Sequence, residues 1–101
     1  MIYEIPLKNV PNQKLSTSIN GQLLEIGLMT RLNENLYISV AVDGVDIVHN
    51  RLCRDRTALI GVDYLNIKGE LAFVDIQGRQ DPHYSALKER YKLIFIERAY
   101  G

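Results

Sequence analysis

The chain has 101 residues, a length that predicts one domain, residues 1–101, with a single hydrophobic core. Apolar residues make up 47% of the sequence and charged residues 24%, proportions that are typical of a globular domain and argue against disorder. Twelve Lys and Arg residues balance twelve Asp and Glu residues, so a net charge of zero predicts binding neither to nucleic acid nor to an anionic membrane. Such a charge also weakens the repulsion between copies, which favours a place in an assembly.

Cys53 is the single cysteine of the sequence, which excludes an internal disulfide and a cysteine-based metal site. A chain without disulfides suits a reducing compartment. The opening MIYEIPLKNV lacks the charged leader and apolar stretch of a signal peptide, and no apolar run approaches the ~20 residues of a membrane-spanning helix. We therefore expect neither a secretion signal nor a membrane span.

Apolar residues recur with a period of two along most of the chain, which predicts β-strands. In LYISVAVD, residues 36–43, the Leu, Ile and Val side chains share one face of the predicted strand. The predicted strands lie near residues 2–7, 14–19, 22–32, 36–43, 46–52, 71–77 and 91–98.

Turn residues fall where these strands end. Asn20–Gly21 and Asp43–Gly44 are strong hairpin signals, because tight two-residue turns need positive φ. Weaker signals occur at 33–35, 68–69 and 77–78. Turns at this spacing predict an all-β fold, a small antiparallel β-barrel or β-sandwich.

Two segments lack a strand pattern. Residues 53–67, CRDRTALIGVDYLNI, are predicted to be an irregular connection with at most a short strand. In PHYSALKER, residues 82–90, the sequence predicts one helical turn with Pro82 at its first position and Asp81 as its N-cap.

The stretch from Asp81 to Tyr84 allows a catalytic and a structural hypothesis. His83 would be a general base oriented by Asp81, but catalysis also needs a nucleophile or metal and a pocket. The structural hypothesis makes Asp81 and Pro82 a turn, with Tyr84 anchoring the loop to the core. The preferences of these residues for caps and turns favour the structural hypothesis.

Other polar residues give weaker signals. His49 and His83 lack the spacing of metal ligands, so we predict no metal site and no cofactor. Arg51, Arg54 and Arg56 surround an acid in RLCRDR, without the aromatic residues that stack on bases. Since Arg is enriched at protein interfaces, we predict that these three arginines lie at a strand end or a protein interface.

The order of these features resembles the small baseplate plug proteins of contractile phage tails, typified by a cyanophage plug. The resemblance lies in IPLKNVPNQKLSTSINGQLLEI (5–26), LYISVAVDGVDIVHNRLC (36–53) and YLNIKGELAFVDIQGRQDPHYSALKERYKLIFI (64–96), and so spans nearly the whole chain. The loop SALKER departs from it, because a glycine is expected between Tyr84 and the last strand. The family offers no catalytic residues to transfer.

The resemblance implies a structural protein of the virion, located in the tail baseplate and assembled in the host cytoplasm. Its partners would be other tail proteins, such as hub and tube, together with further copies of itself. In this role the chain is not an enzyme, and it binds neither nucleic acid nor membrane. Two alternatives stay open: an oligonucleotide-binding β-barrel, and a small hydrolase that uses His83 and Asp81.

Overall fold

The computed structural model describes residues 2–31, 33–60 and 69–97, which form seven strands and one short 3-10 helix. The strands are β1 (Ile2–Ile5), β2 (Asn12–Ile19), β3 (Gln22–Thr30), β4 (Leu36–Val42), β5 (Val45–Leu52), β6 (Gly69–Asp75) and β7 (Tyr91–Glu97). The 3-10 helix, Tyr84–Ala86, lies between β6 and β7.

The seven strands form two antiparallel sheets, which confirms the all-β prediction. A three-stranded sheet has the order β1-β7-β6, and a four-stranded sheet has the order β2-β3-β4-β5. The described strands do not close into a barrel. Consecutive strands are neighbours in the four-stranded sheet, whereas the three-stranded sheet joins the two ends of the chain.

Strand ends differ from the prediction by a few residues. β1 stops at Ile5 because Pro6 follows and has no N–H for the ladder. β2 starts earlier than predicted, since Asn12 pairs with Met29. The predicted turn at 68–69 lies partly outside the described residues. Residues 61–67 of the predicted connection lie wholly outside them.

One hydrophobic cluster draws its side chains from both sheets. Alternation along each strand determines which residues enter it: Leu71 and Phe73 of β6 face the core, as do Leu93 and Phe95 of β7. Phe73 and Phe95 are the largest of the fully buried side chains. Because a buried Phe side chain stabilises a fold by ~1.5–3 kcal/mol, this cluster is the main source of stability.

The connection after β5 covers the outer edge of β6. The backbone N–H of Arg56 donates to the carbonyl of Phe73 at 2.7 Å, and that of Leu59 donates to the carbonyl of Leu71 at 2.9 Å. Asp55 also forms an isolated bridge with Phe73. Part of this edge of the three-stranded sheet is therefore covered by the connection and not open to solvent. Across the described ranges, no helix has the length and apolar character needed to span a membrane.

Candidate assembly surfaces

An ion pair between the buried Asp75 carboxylate and the half-buried Arg90 holds the corner that follows β6. Arg90 donates two hydrogen bonds to the Asp75 carboxylate, from Nε to Oδ1 and from Nη2 to Oδ2, both at 2.8 Å. The backbone N–H groups of Gln77 and Gln80 donate to the same carboxylate, each at 2.9 Å. Asp75 is 1% exposed, so these four bonds replace its hydration.

The same contacts shift the pKa values of Asp75 and Arg90. The hydrogen bond from Arg90, supported by the N–H groups of Gln80 and Gln77, holds the pKa of Asp75 well below its usual range although burial opposes this. The partner carboxylate correspondingly raises the pKa of Arg90. Both groups therefore stay charged at neutral pH.

Two more acids extend this contact into a network that we call the polar clamp: Asp55, Arg56, Asp75, Asp81 and Arg90. Asp55 Oδ1 accepts the backbone N–H of Asp75 at 2.7 Å, and its Oδ2 contacts Arg56 Nη1 at 2.6 Å. Asp81 Oδ1 accepts the backbone N–H of Asp55 at 2.9 Å. The clamp thus ties the connection after β5 to both sides of the corner.

Asp81 is not the N-cap of a helix, so that prediction is wrong. The N-cap of the 3-10 helix is His83, whose Nδ1 accepts the backbone N–H of Ser85 at 3.2 Å. The predicted helical turn is also shorter than 82–90, because Leu87 is extended and Lys88 has a φ of 73°. The Asp81 carboxylate bonds to Asp55 and is therefore engaged elsewhere.

His83 and Asp81 face different partners. The His83 ring stacks on Tyr84 with 4.6 Å between centroids, and its Nε2 lies 3.8 Å from Glu34 Oε2 at the β3–β4 turn. Pro82 is buried, and Tyr84 is half-buried against the hydrophobic cluster. The contacts in this corner join loops to the core and to the second sheet.

The other predicted site residues lie at separate places. Asn20, Gly21, Asp43 and Gly44 have positive φ in the two hairpin turns. Asn20 Nδ2 also donates to Glu97 Oε1 at 2.9 Å, a bond between the two sheets.

The three arginines have different surroundings. Arg51 Nη1 donates to the carbonyls of Leu59 and Ile60 at 2.9 and 3.3 Å, Arg56 belongs to the clamp, and Arg54 is exposed. An interface role stays a prediction for all three arginines. Arg51 and Arg56 already donate hydrogen bonds to backbone carbonyls of the same chain. Beside them, burial raises the pKa of the Cys53 thiol to about 12, so this thiol is unreactive at neutral pH.

Within the described ranges, no three His, Cys, Asp or Glu residues lie together in a way that could hold a metal ion. His49 is exposed on β5, with its Nε2 4.0 Å from Asp46 Oδ2, and His83 lies in the corner before β7.

An apolar strip crosses the side of the three-stranded sheet that faces away from the core, with Ile2 and Ile96 exposed, Val74 and Ile94 half-buried and Ala72 buried. We call it the apolar outer face: Ile2, Ala72, Val74, Ile94 and Ile96. Ile2 pairs with Ile96, and Ala72 pairs with Ile94, so the strip is continuous across all three strands. Ile2 is 63% exposed and Ile96 38% exposed. A contiguous apolar face of this kind marks an interaction site more often than scattered apolar residues do.

The outward side of the four-stranded sheet is polar. Its middle forms a shallow groove lined by small and charged residues, among them Lys14, Ser16, Glu25, Ser39 and Asp46. The exposed large apolar side chains of this sheet lie at strand ends: Leu23 and Met29 towards the ends of β3, and Val45 at the start of β5. The two sheets therefore present chemically different surfaces to solvent.

The sequence analysis predicted neither the polar clamp nor the apolar outer face, although the sequence contains a signal for each. Asp75 shares the core-facing side of β6 with Leu71 and Phe73, and an acid at such a position needs a buried partner. In β7, apolar residues occupy both faces of the strand, as Ile94 and Ile96 alternate with core residues. A strand that is apolar on both faces indicates either a covered sheet or an interface.

Comparison with known proteins gives one family. The family model described as "Cyanophage baseplate Pam3 plug gp18" matches residues 2–98 of the chain. The search of curated proteins finds no match.

Proposed function

The chain belongs to the cyanophage baseplate plug family, and we propose that it is a structural baseplate protein that acts through contacts with other tail proteins and carries out no chemistry. The family match, which covers residues 2–98, supports a phage baseplate role and a location in the virion tail. The contacts themselves are our inference from the surface of the molecule.

The apolar outer face is the proposed contact surface for a neighbouring baseplate protein. Ile2 and Ile96 lie directly opposite each other and are exposed on a sheet whose other side already supplies the core. Covering them would gain roughly 25 cal/mol for each Å² of apolar surface removed from water. The exposed pair of Ile2 and Ile96 is the main support for this proposal. We expect the neighbouring protein to present a complementary apolar surface.

The rim of this face adds a polar boundary. Lys92 Nζ lies 3.5 Å from Glu4 Oε2, with the two side chains 26% and 50% exposed. An apolar centre with a charged rim is the usual anatomy of a protein interface. The rim would select the orientation of the partner, while the isoleucines supply most of the affinity.

We infer that the two sheets pack as a sandwich, that several copies meet in one particle assembled in the host cytoplasm, and that the tail hub and tube are the neighbours. The shared hydrophobic cluster supports the sandwich. The balanced charge of the chain supports close packing of copies, since repulsion between them is weak.

A tagged chain that replaces the native copy tests this proposal in producing cells. After lytic induction, we expect hub, tube or other baseplate proteins to co-purify in a fixed ratio, as identified by mass spectrometry. Ile96→Lys should lose these partners, because it replaces one of the two exposed isoleucines with a charge that is costly to bury in a contact. Met29→Lys, at the similarly exposed position on the four-stranded sheet, is the matched control and should keep them.

Two results would contradict the proposal in different ways. Recovery of no tail protein with the unmodified chain would remove the baseplate role. Equal recovery with Ile96→Lys and Met29→Lys would keep that role but move the contact away from the apolar outer face.

A further inference from the structure

The outer edge of β2 is the longest regular strand edge that the described residues leave open. β2 pairs with β3 over eight consecutive residues without a register shift. β1 has four residues, the β4–β5 ladder is irregular around Val40, and residues 55–59 cover β6. Open, regular edges are places where another strand adds to a sheet.

The hydrogen-bond pattern shows which backbone groups face outward. Thr30 donates to the carbonyl of Pro11 at 3.0 Å, and residues of an antiparallel strand alternate in direction. Odd-numbered residues of β2 therefore bond to β3. The N–H and C=O groups of Lys14, Ser16 and Ser18 point away from the sheet, and within the described ranges no backbone hydrogen bond reaches them.

We infer that this edge pairs with the same edge of a second copy, so that two four-stranded sheets become one antiparallel sheet of eight strands. The register that uses every outward residue between 12 and 18 places Lys14 opposite Ser16 of the partner subunit. It also places Asn12 opposite Ser18 of the partner subunit. The two-fold axis then passes through the pair of Leu15 residues.

Charge complementarity favours this register. Ser16 lies beside Glu25 in the β2–β3 register, and both side chains are exposed. The partner's Lys14 would extend over the small Ser16 side chain to Glu25, two strands or ~10 Å away. The two-fold axis gives this ion pair twice. The two Lys14 residues are never directly opposite, so like charges do not oppose pairing.

Leu15 supplies the apolar part of the contact. It is half-buried at the edge of the hydrophobic cluster, on the side of β2 that faces the core. At the two-fold axis, the two Leu15 residues form a close non-hydrogen-bonded pair and cover each other. The inference deepens the proposed assembly of several copies and rests on it.

Analytical ultracentrifugation of the isolated full chain over a concentration series tests the inference. We expect the unmodified chain to form a dimer and Ser16→Pro to be a monomer at the same concentrations. Proline at residue 16 removes only an N–H that faces away from β3, so the fold of the monomer should persist. Ser16→Ala keeps this N–H and is the matched control, which should remain a dimer.

A charge exchange provides a test that does not depend on proline. Lys14→Glu and Glu25→Lys should each raise the dissociation constant of the dimer by about tenfold, because each creates two like-charge contacts. The double variant Lys14→Glu/Glu25→Lys should restore it. Restoration is specific to pairing between these two positions, since a change in fold alone would accumulate in the double variant.

Three outcomes would overturn the inference: a chain that stays monomeric up to its solubility limit, a dimer that Ser16→Pro leaves intact, or a double exchange that dimerises no better than the single ones. A monomeric chain that still recovers tail proteins from producing cells would overturn the dimer alone and leave the baseplate role in place.

Discussion

The polar clamp lies at the corner between β6 and β7, the apolar outer face crosses β1, β7 and β6, and their most prominent side chains are in opposite environments. In the clamp, the Asp75 carboxylate is buried with four hydrogen bonds from the chain itself. On the apolar outer face, Ile2 and Ile96 remain in solvent. The polar groups of the clamp are satisfied within the chain, whereas the exposed isoleucines would be covered only by the partner that we propose.

This contrast separates stability from assembly. Changes in the clamp should destabilise the isolated chain, and changes on the apolar outer face should affect contacts with other proteins. Variants in each region can test that separation.

Arg90→Ala should produce the largest loss of stability, because it leaves the Asp75 carboxylate buried without its charged partner. Urea denaturation should show a large fall in the free energy of unfolding. Arg90→Lys keeps the charge but not the two-bond geometry, so its stability should be intermediate.

Lys92→Ala is the matched control, since Lys92 is as exposed as Arg90 but its partner Glu4 is 50% exposed, whereas Asp75 is buried. We expect that variant to lose at most ~1 kcal/mol. Similar losses for Arg90→Ala and Lys92→Ala would mean that burial of the clamp contributes nothing distinctive.

Acid should release the clamp. The folded chain lowers the pKa of Asp75 from 3.8, so the carboxylate stabilises the fold fully above about pH 4 and progressively less as the pH falls below that value. Denaturation midpoints at neutral pH and in the acid range should show this loss. Arg90→Lys should reduce this loss of stability in acid, because the hydrogen bond from Arg90 is the main cause of the lowered pKa of Asp75. An equal acid dependence in both chains would contradict this assignment.

Tyr84→Ala should cost ~1–2 kcal/mol, less than a fully buried aromatic residue, because the ring is half-buried and stacked on His83. Tyr84→Phe keeps the ring and should retain nearly full stability. Thermal unfolding of both variants distinguishes ring packing from the hydroxyl group. Equal losses in both would show that the hydroxyl group, and not the ring, holds the corner.

The sequence predicted the strands well because one side of each strand enters the core. β4 illustrates this, with every second residue buried from Leu36 to Val42. The hairpin at Asn20–Gly21 follows from local chemistry in the same way, since both residues adopt positive φ.

The clamp could not be predicted, because its partners are distant in sequence. Alternation places Asp75 on the core side of β6, but nothing local selects Arg90 among the twelve basic residues. For the same reason the N-cap prediction for Asp81 was wrong. Its carboxylate bonds to the N–H of Asp55, 26 residues earlier, and local preference cannot anticipate that competition.

The smallest effect on stability should come from the apolar outer face, and it would complete the contrast with the clamp. The double variant Ile2→Thr/Ile96→Thr keeps β-branched side chains on both strands, so the free energy of unfolding should change by less than ~1 kcal/mol. Binding of a hydrophobic dye to the isolated chain should nevertheless fall, because the exposed apolar pair is gone. A large loss of stability would instead show that these isoleucines support the fold of the isolated chain, which would contradict a role confined to contact with a partner.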